Sequence, residues 1–148
     1  PPYFTIMVPT AQLKPADKVI RKPTIFSKTF ISMERKNARY LSKMDIEENI
    51  DILVCDASFI SLTKILPEPL KLCSENAQLI ALIKPQFELE KKFIAKGGVV
   101  KDEKLRSSVC ENIRLWIEDK MSWKVIQIIK SPITGPKGNV EYLLYASK

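Results

Sequence analysis

The sequence predicts an α/β fold with a mainly parallel sheet and one antiparallel strand at its C-terminal end. Two short apolar runs, IDILVC and AQLIALIK, alternate with helical segments from residue 51 onward, as is typical of parallel strands buried on both faces. A helix-free connection, SPITGPKGN, precedes the last apolar run, and so short a connection permits antiparallel pairing. The length of 148 residues is that of a single domain.

The first half of the predicted sheet comes from the two apolar runs. The segment between them, SLTKILPEPLKLC, has helical character but is broken by Pro67 and Pro69, because proline removes a backbone donor inside a helix. The segment PQFELEKKFIAKGG after the second run has no regular period and is expected to form a loop.

A long amphipathic helix is predicted from about Asp102 to Lys120. Asp102 and Glu103 lie at its N-terminal end, where the helix dipole favours negative charge. The runs WKVIQIIK and VEYLLYA then read as strands that pair with opposite direction. Apolar residues recur at helical spacing and are expected to face the sheet: Leu105, Val109, Ile113, Trp116 and Ile117.

The net charge of +7 is concentrated near the N-terminus. Residues 1–40 hold eight basic and two acidic residues, and so carry +6 of this charge. A basic segment beside a nearly neutral domain suits a polyanion such as RNA, although a solvated leader would have the same composition. We therefore divide the chain into a basic leader, 1–31, and a domain, 32–148, with a short strand expected in FTIMV.

Composition excludes several classes of site and location. The chain has no histidine, which removes histidine-based acid–base catalysis and most zinc sites. Its three scattered cysteines indicate reduced thiols in a cytoplasmic protein, and no metal site is predicted. No apolar run is long enough to cross a bilayer, and no secretory signal is recognised.

Three charged residues are expected at one rim of the sheet. Asp56 follows the first strand, Lys84 follows the second, and Glu141 opens the reversed last strand. Ligands bind at the carboxyl ends of parallel strands, so the three side chains should converge there. A lysine oriented by carboxylates can activate a substrate hydroxyl, although an ordinary ion pair at strand ends would look the same in sequence.

Neighbouring residues carry weaker signals. Gln86 and Phe87 follow Lys84 in a proline-stiffened loop, where the aromatic ring could stack a nucleobase or pack beneath its own loop. Ser58 and Ser61 precede a helical segment and are expected to cap it. The segment KGGVVKD lacks the glycine spacing of a phosphate-binding loop.

Five segments together resemble the TlyA group, also called hemolysin A, of FtsJ-like RNA methyltransferases. They are MERKNARYL, DILVCDASFISL, ALIKPQFE, KGGVVKD and SPITGPKGNVEYLL, in this order over residues 32–146. The resemblance implies a Rossmann-like methyltransferase fold, S-adenosylmethionine as cofactor, and 2′-O-methylation of ribosomal RNA.

The resemblance also implies roles for individual residues. Asp56, Lys84 and Glu141 match three of the four members of the family's Lys-Asp-Lys-Glu catalytic set. Asn37 and Asp56 are expected near the cofactor. Contact with ribosomal RNA or a ribosomal subunit is expected from residues of the basic segment and of the rim: Arg35, Lys36, Arg39, Gln86 and Phe87.

The sequence departs from this family upstream of residue 32. It has no glycine before Gly97, and Met7 and Pro9 stand where the family pattern has an acidic residue and a glycine. We therefore expect a fold truncated at its N-terminus, with weak or lost cofactor binding and doubtful activity of the chain alone. A missing strand would expose a sheet edge and favour self-association. Two alternatives stay open: a non-catalytic RNA-binding remnant or scaffold and, ranked below it, a membrane-active hemolysin.

Overall fold

The computed structural model describes residues 5–7, 33 and 36–148. Five strands alternate with four α-helices and three short 3₁₀ turns along the described chain. The strands are β1 (Thr5–Met7), β2 (Ile50–Cys55), β3 (Cys73–Ile83), β4 (Lys124–Lys130) and β5 (Tyr142–Ser147). The helices are α1 (Leu62–Ile65), α2 (Pro67–Lys71), α3 (Pro85–Glu88) and α4 (Glu103–Met121); the 3₁₀ turns are Ala38–Tyr40, Lys91–Phe93 and Pro136–Gly138.

The strands form one mixed sheet in the order β1-β2-β3-β5-β4. β2 and β3 pair in parallel, whereas β5 pairs antiparallel with both β3 and β4. β2, β3 and β4 therefore run in one direction, which confirms the predicted α/β class and the antiparallel pairing of the last two strands. The reversed strand β5 lies inside the sheet, with β4 at its edge. The expected strand in FTIMV is β1, which pairs antiparallel with β2.

The helices follow the local signals in the sequence. The segment between β2 and β3 forms two short helices, with Pro67 at the first position of α2. Asp102 caps α4, because its Oδ1 accepts the backbone N–H groups of Lys104 at 2.7 Å and Leu105 at 3.3 Å. Ser122 ends this helix in the left-handed conformation, with φ of 57°.

The hydrophobic core lies on one face of the sheet. In β3, Ala77, Leu79, Ala81 and Ile83 are fully buried and alternate with less buried positions, as one-sided packing requires. Helix α4 buries Val109, Ile113 and Ile117 in this core, with Trp116 packed at its side, whereas Leu105 is only half-buried. The opposite face includes Ile52, 38% exposed, and Ile80, 39% exposed; the prediction that these strands are buried on both faces was wrong.

No helix within the described ranges is long and apolar enough to cross a membrane.

The parallel pairing of β2 with β3 brings their carboxyl ends to one rim, and the residue before β5 reaches the same rim because β5 runs the opposite way. This rim is where the candidate functional residues lie.

Candidate active site

A buried lysine and an accessible aspartate meet at the ends of the two parallel strands. Lys84 Nζ lies 2.6 Å from Asp56 Oδ1 and donates to Ser58 Oγ at 3.1 Å. The Lys84 side chain is 10% exposed, whereas that of Asp56 is 64% exposed. The lysine is thus anchored from the protein side, and the carboxylate remains open to a ligand.

Glu141 reaches the rim but does not pair with Lys84. It is 5% exposed, and its Oε1 accepts the Nε2 amide of Gln86 at 3.2 Å. Among the described residues, the ion pair of Lys84 is with Asp56, and Glu141 forms none. Gln86 is two residues beyond Lys84. The segment 84–86 therefore contacts both carboxylates of the rim, Asp56 through Lys84 and Glu141 through Gln86.

Gln86 is an interior residue. It is 9% exposed, and its Oε1 atom has no hydrogen-bond partner within the part of the chain that the structure describes. Such an atom is costly in a protein interior unless a ligand or neighbouring group satisfies it. The structure therefore places Gln86 beneath the rim, whereas the sequence had suggested a direct contact with RNA.

The turn that precedes β5 leaves room for the Glu141 carboxylate. The backbone closes through Gly135, whose N–H donates to Asn139 O at 2.8 Å, and Lys137 and Gly138 adopt positive φ angles of 60° and 82°. A Cβ atom on Gly135 would overlap Glu141 Oε1 and lie 2.7 Å from its Cδ. Gly135 is thus required by the close approach of the glutamate side chain.

We expect Gly135→Ala to displace Glu141 and lower the free energy of unfolding by about 1–3 kcal/mol, because a buried carboxylate loses its hydrogen bond. The backbone at Gly135, with φ of −72°, accepts alanine without strain. Urea denaturation would measure the change. In a Glu141→Ala background the same substitution should cost almost nothing. Equal costs in both backgrounds would contradict a clash with Glu141.

The segment KGGVVKD supports this turn. Asn139, 4% exposed, accepts the N–H of Val100 at 3.1 Å through Oδ1. Its Nδ2 donates to Gly98 O at 2.9 Å and to Pro136 O at 3.2 Å. One side chain therefore fastens the glycine-containing segment to the turn that positions Glu141.

Two serines that the sequence placed at a helix start have different partners. Ser61 caps α1, since its Oγ accepts the N–H of Thr63 at 3.2 Å. Ser58 contacts Lys84 instead, so the prediction that it caps the helix was wrong. Its hydroxyl is the second contact that holds the lysine amine.

Phe59 is a candidate site residue that the sequence analysis missed. It is 89% exposed, has a φ of 64°, and its ring centroid lies 4.9 Å from that of half-buried Phe87. A bulky residue with positive φ is strained, and such strain clusters at functional sites. Its position three residues after Asp56 could have indicated a residue close to the site. Hydrophobic periodicity, however, does not predict a left-handed backbone conformation.

The interior beneath the rim disfavours charge. Burial, together with the neighbouring Asp56 carboxylate, raises the pKa of the Cys55 thiol to about 12, so this cysteine is an inert thiol. No group of three potential metal ligands occurs among the described residues. The rim thus offers a lysine, two carboxylates and an aromatic pair.

The residues near position 37 that are expected in contact with cofactor and RNA have local partners in the structure. Asn37 caps the 3₁₀ turn Ala38–Tyr40, accepting the backbone N–H and Nε of Arg39 at 3.1 and 3.2 Å. Lys36 pairs with Asp45 at 2.6 Å, and its hydrogen bond lowers the pKa of that carboxyl. Arg35 lies outside the described residues.

The residues at the rim fit a methyl-donor cofactor only in part. Asp56 is accessible at the end of β2, but no glycine in the described ranges permits close backbone approach there. Asn37 already uses its side-chain oxygen on Arg39. Of the two residues expected near the cofactor, Asp56 thus has an accessible carboxylate, whereas the side-chain oxygen of Asn37 is occupied.

Comparisons with known proteins agree with the geometry. A family model described as FtsJ-like methyltransferase matches residues 10–148. The chain is 40% identical over 116 residues to the 16S/23S rRNA (cytidine-2′-O)-methyltransferase TlyA of Mycobacterium tuberculosis, covering 78% of the chain and 42% of that protein. It is 39% identical over 116 residues to Hemolysin A of Brachyspira hyodysenteriae, covering 78% of the chain and 48% of that protein.

A solved structure from Streptococcus thermophilus, which bears a provisional hemolysin name, superposes with a TM-score of 0.74 at 35% identity. The alignment covers 78% of the chain and 42% of that structure. The chain thus spans less than half the length of these relatives.

Proposed function

Because the chain belongs to the FtsJ-like methyltransferase family, as the resemblance of its motifs had implied, we propose that its function is that of an S-adenosylmethionine-dependent rRNA 2′-O-ribose methyltransferase, of which this chain forms an incomplete domain. The observation that carries the proposal is the buried Lys84 amine, held by Asp56 and Ser58 at the rim of the sheet. The substrate is ribosomal RNA or a ribosomal subunit in the cytoplasm.

In this proposal Lys84 acts on the ribose hydroxyl. Its amine hydrogen-bonds the 2′ oxygen and stabilises the negative charge that develops there as the hydroxyl proton passes to solvent and the oxygen takes the methyl group. Asp56 orients the amine and, being exposed, also lies within reach of the substrate. Glu141, buried and held by Gln86, adds a second negative charge at the same rim. S-adenosylmethionine, when bound, supplies the methyl group.

The RNA-contacting surface includes the aromatic pair beside Lys84. The exposed ring of Phe59, supported by Phe87, is suited to stacking a base whose ribose lies over Lys84. Lys36 and Arg39 are exposed and, together with Arg35, supply positive charge for the phosphate backbone. Gln86 contributes indirectly by holding Glu141.

A chimera tests the proposal. Residues 36–148 would replace the matching segment of the Mycobacterium tuberculosis relative, which then provides the cofactor half. Mass spectrometry of digested rRNA should detect 2′-O-methylcytidine after incubation with this chimera and S-adenosylmethionine. A folded chimera that binds rRNA but forms no product would favour the alternative, a non-catalytic RNA-binding remnant or scaffold.

We also propose that the chain self-associates through a sheet edge. In the described sheet, β4 pairs with β5 on one side only, and its Ile126 and Ile129 are 48% and 45% exposed. Exposed edge strands are templates for pairing with another chain. Light scattering should show dimers or larger species that Ile126→Lys reduces, and a monomer at all concentrations would exclude this contact.

A further inference from the structure

Glu88 is a half-buried carboxylate without an assigned role in the proposed reaction. Its Oε2 accepts the hydroxyl of Ser61 at 2.5 Å, and its Oε1 accepts the N–H of Leu62 at 2.8 Å. Burial raises the pKa of Glu88, whereas both hydrogen bonds lower it. Within the described part of the chain no cation pairs with it. A half-buried acidic group is thus held by two neutral donors.

Both donors lie beside the candidate site. Ser61 ends the loop at residues 56–61, here called the β2 loop, and Glu88 ends the turn at residues 84–88, the β3 turn. Glu88 and Ser61 share the capping of α1, since Glu88 Oε1 accepts the N–H of Leu62 and Ser61 Oγ accepts that of Thr63. The other oxygen of Glu88 accepts the Ser61 hydroxyl and so contacts the loop itself. Its placement therefore indicates a further role in joining the loop to the turn.

The β2 loop and the β3 turn contact each other at both ends and in the middle. Lys84 pairs with Asp56 at one end, and the ring of Phe87 packs against that of Phe59 in the middle, at an interplanar angle of 45°. Glu88 closes the other end. The separation of loop and turn, and with it the geometry around the Lys84 amine, is consequently fixed from both sides.

Part of the β2 loop is strained and needs such support. Phe59 has a φ of 64° although it is neither glycine nor asparagine, and its ring is largely exposed. A residue keeps a sparsely populated backbone conformation only when its surroundings hold it. The nearest charge-assisted anchor of the loop on its C-terminal side is Glu88.

We propose that Glu88 is a positioning residue that, through Ser61, holds the β2 loop in the conformation in which Asp56 and Ser58 meet Lys84. Its importance for methyl transfer rests on the proposed function. The positioning itself is a property of the folded chain and can be tested without turnover.

The test compares Glu88→Ala and Glu88→Gln in the full chain. Brief acetylation with N-hydroxysuccinimide acetate, followed by peptide mass spectrometry, gives the reaction rate of each lysine. Lys84 should react about 10-fold faster or more in Glu88→Ala, because losing a charge-assisted hydrogen bond shifts the opening equilibrium by at least a decade. Glu88→Gln should stay near the original rate, since its Oε1 can accept the N–H of Leu62 and its Nε2 can donate to the hydroxyl oxygen of Ser61.

Lys148 is the matched control. Its Nζ donates to Cys73 O at 3.1 Å, at the opposite end of β3 from Lys84. Its rate should not change. Equal acceleration of Lys84 and Lys148 would mean that Glu88 supports only the fold as a whole, and an unchanged Lys84 would equally overturn the proposal. If Glu88→Ala does not fold, Ser61→Ala removes the same contact and is judged by the same rates.

The chimera provides a second readout. Glu88→Ala should lower kcat with the KM for rRNA unchanged, and Glu88→Gln should restore kcat. An inactive chimera would count against the proposed function, whereas the acetylation rates would still decide whether Glu88 positions the loop.

Discussion

Replacing Lys84 with methionine is expected to lower methyl transfer by the chimera about 100- to 10,000-fold, the range that a positioned acid–base group contributes. Methionine approximates the length of the lysine stem, so packing changes little while the amine is lost. Asp56 and Ser58 then lose their contacts with the Lys84 ammonium group. The measurement is the single-turnover rate of 2′-O-methylcytidine formation at saturating cofactor and rRNA.

Lys64→Met is the matched control for this substitution. Lys64 is an exposed residue of α1, close in sequence to the site but without a contact to the Lys84 amine. We expect this variant to retain the parent rate within a few-fold. A Lys84→Met chimera that also keeps its rate would exclude Lys84 from the chemistry and assign its ion pair to stability.

The second large effect concerns the cofactor. The chain alone should bind S-adenosylmethionine about 10- to 150-fold more weakly than the chimera, since one charged hydrogen bond contributes about 1.5–3 kcal/mol, at about 1.4 kcal/mol per decade. This chain has no glycine before Gly97 and no acidic residue at the position expected to hold the cofactor ribose. We also expect no turnover by the chain alone.

Calorimetric titration of both proteins under the same buffer conditions measures this difference. An Asp56→Asn chain serves as control, because residual binding should depend on the accessible carboxylate at the end of β2. Micromolar affinity with turnover in the chain alone would show that residues upstream of 36 build a cofactor site without the family's usual groups.

Strand polarity was enough to place Lys84 and Asp56 together. Two buried strands of one direction must end at the same rim, so residues that follow them meet there whatever the details of packing. The closing turn was also recognisable from its glycines and prolines. Both the strand ends and the turn are determined by residues close together in sequence, so sequence patterns are enough to predict them.

The remaining contacts depend on packing between segments distant in sequence. The amide of Gln86 donates to Glu141, which is 55 residues away in the chain. The sequence around Gln86 contains no pattern that predicts this partner. Phe59 adopts positive φ although its residue type disfavours it, because the contacts around the loop override local preference. The position of β5 between β3 and β4 likewise follows from the pairing of the whole sheet.

The place of β5 has a consequence for synthesis on the ribosome. β3 and β4 both precede Tyr142–Ser147 in the chain, yet each pairs with this later strand. A nascent chain that has emerged only to β4 therefore exposes the unpaired edge of β3 and leaves β4 with no strand to join. The sheet can be completed only after β5 has been synthesised. A stop codon before Tyr142 would remove β5, the strand with which both β3 and β4 pair.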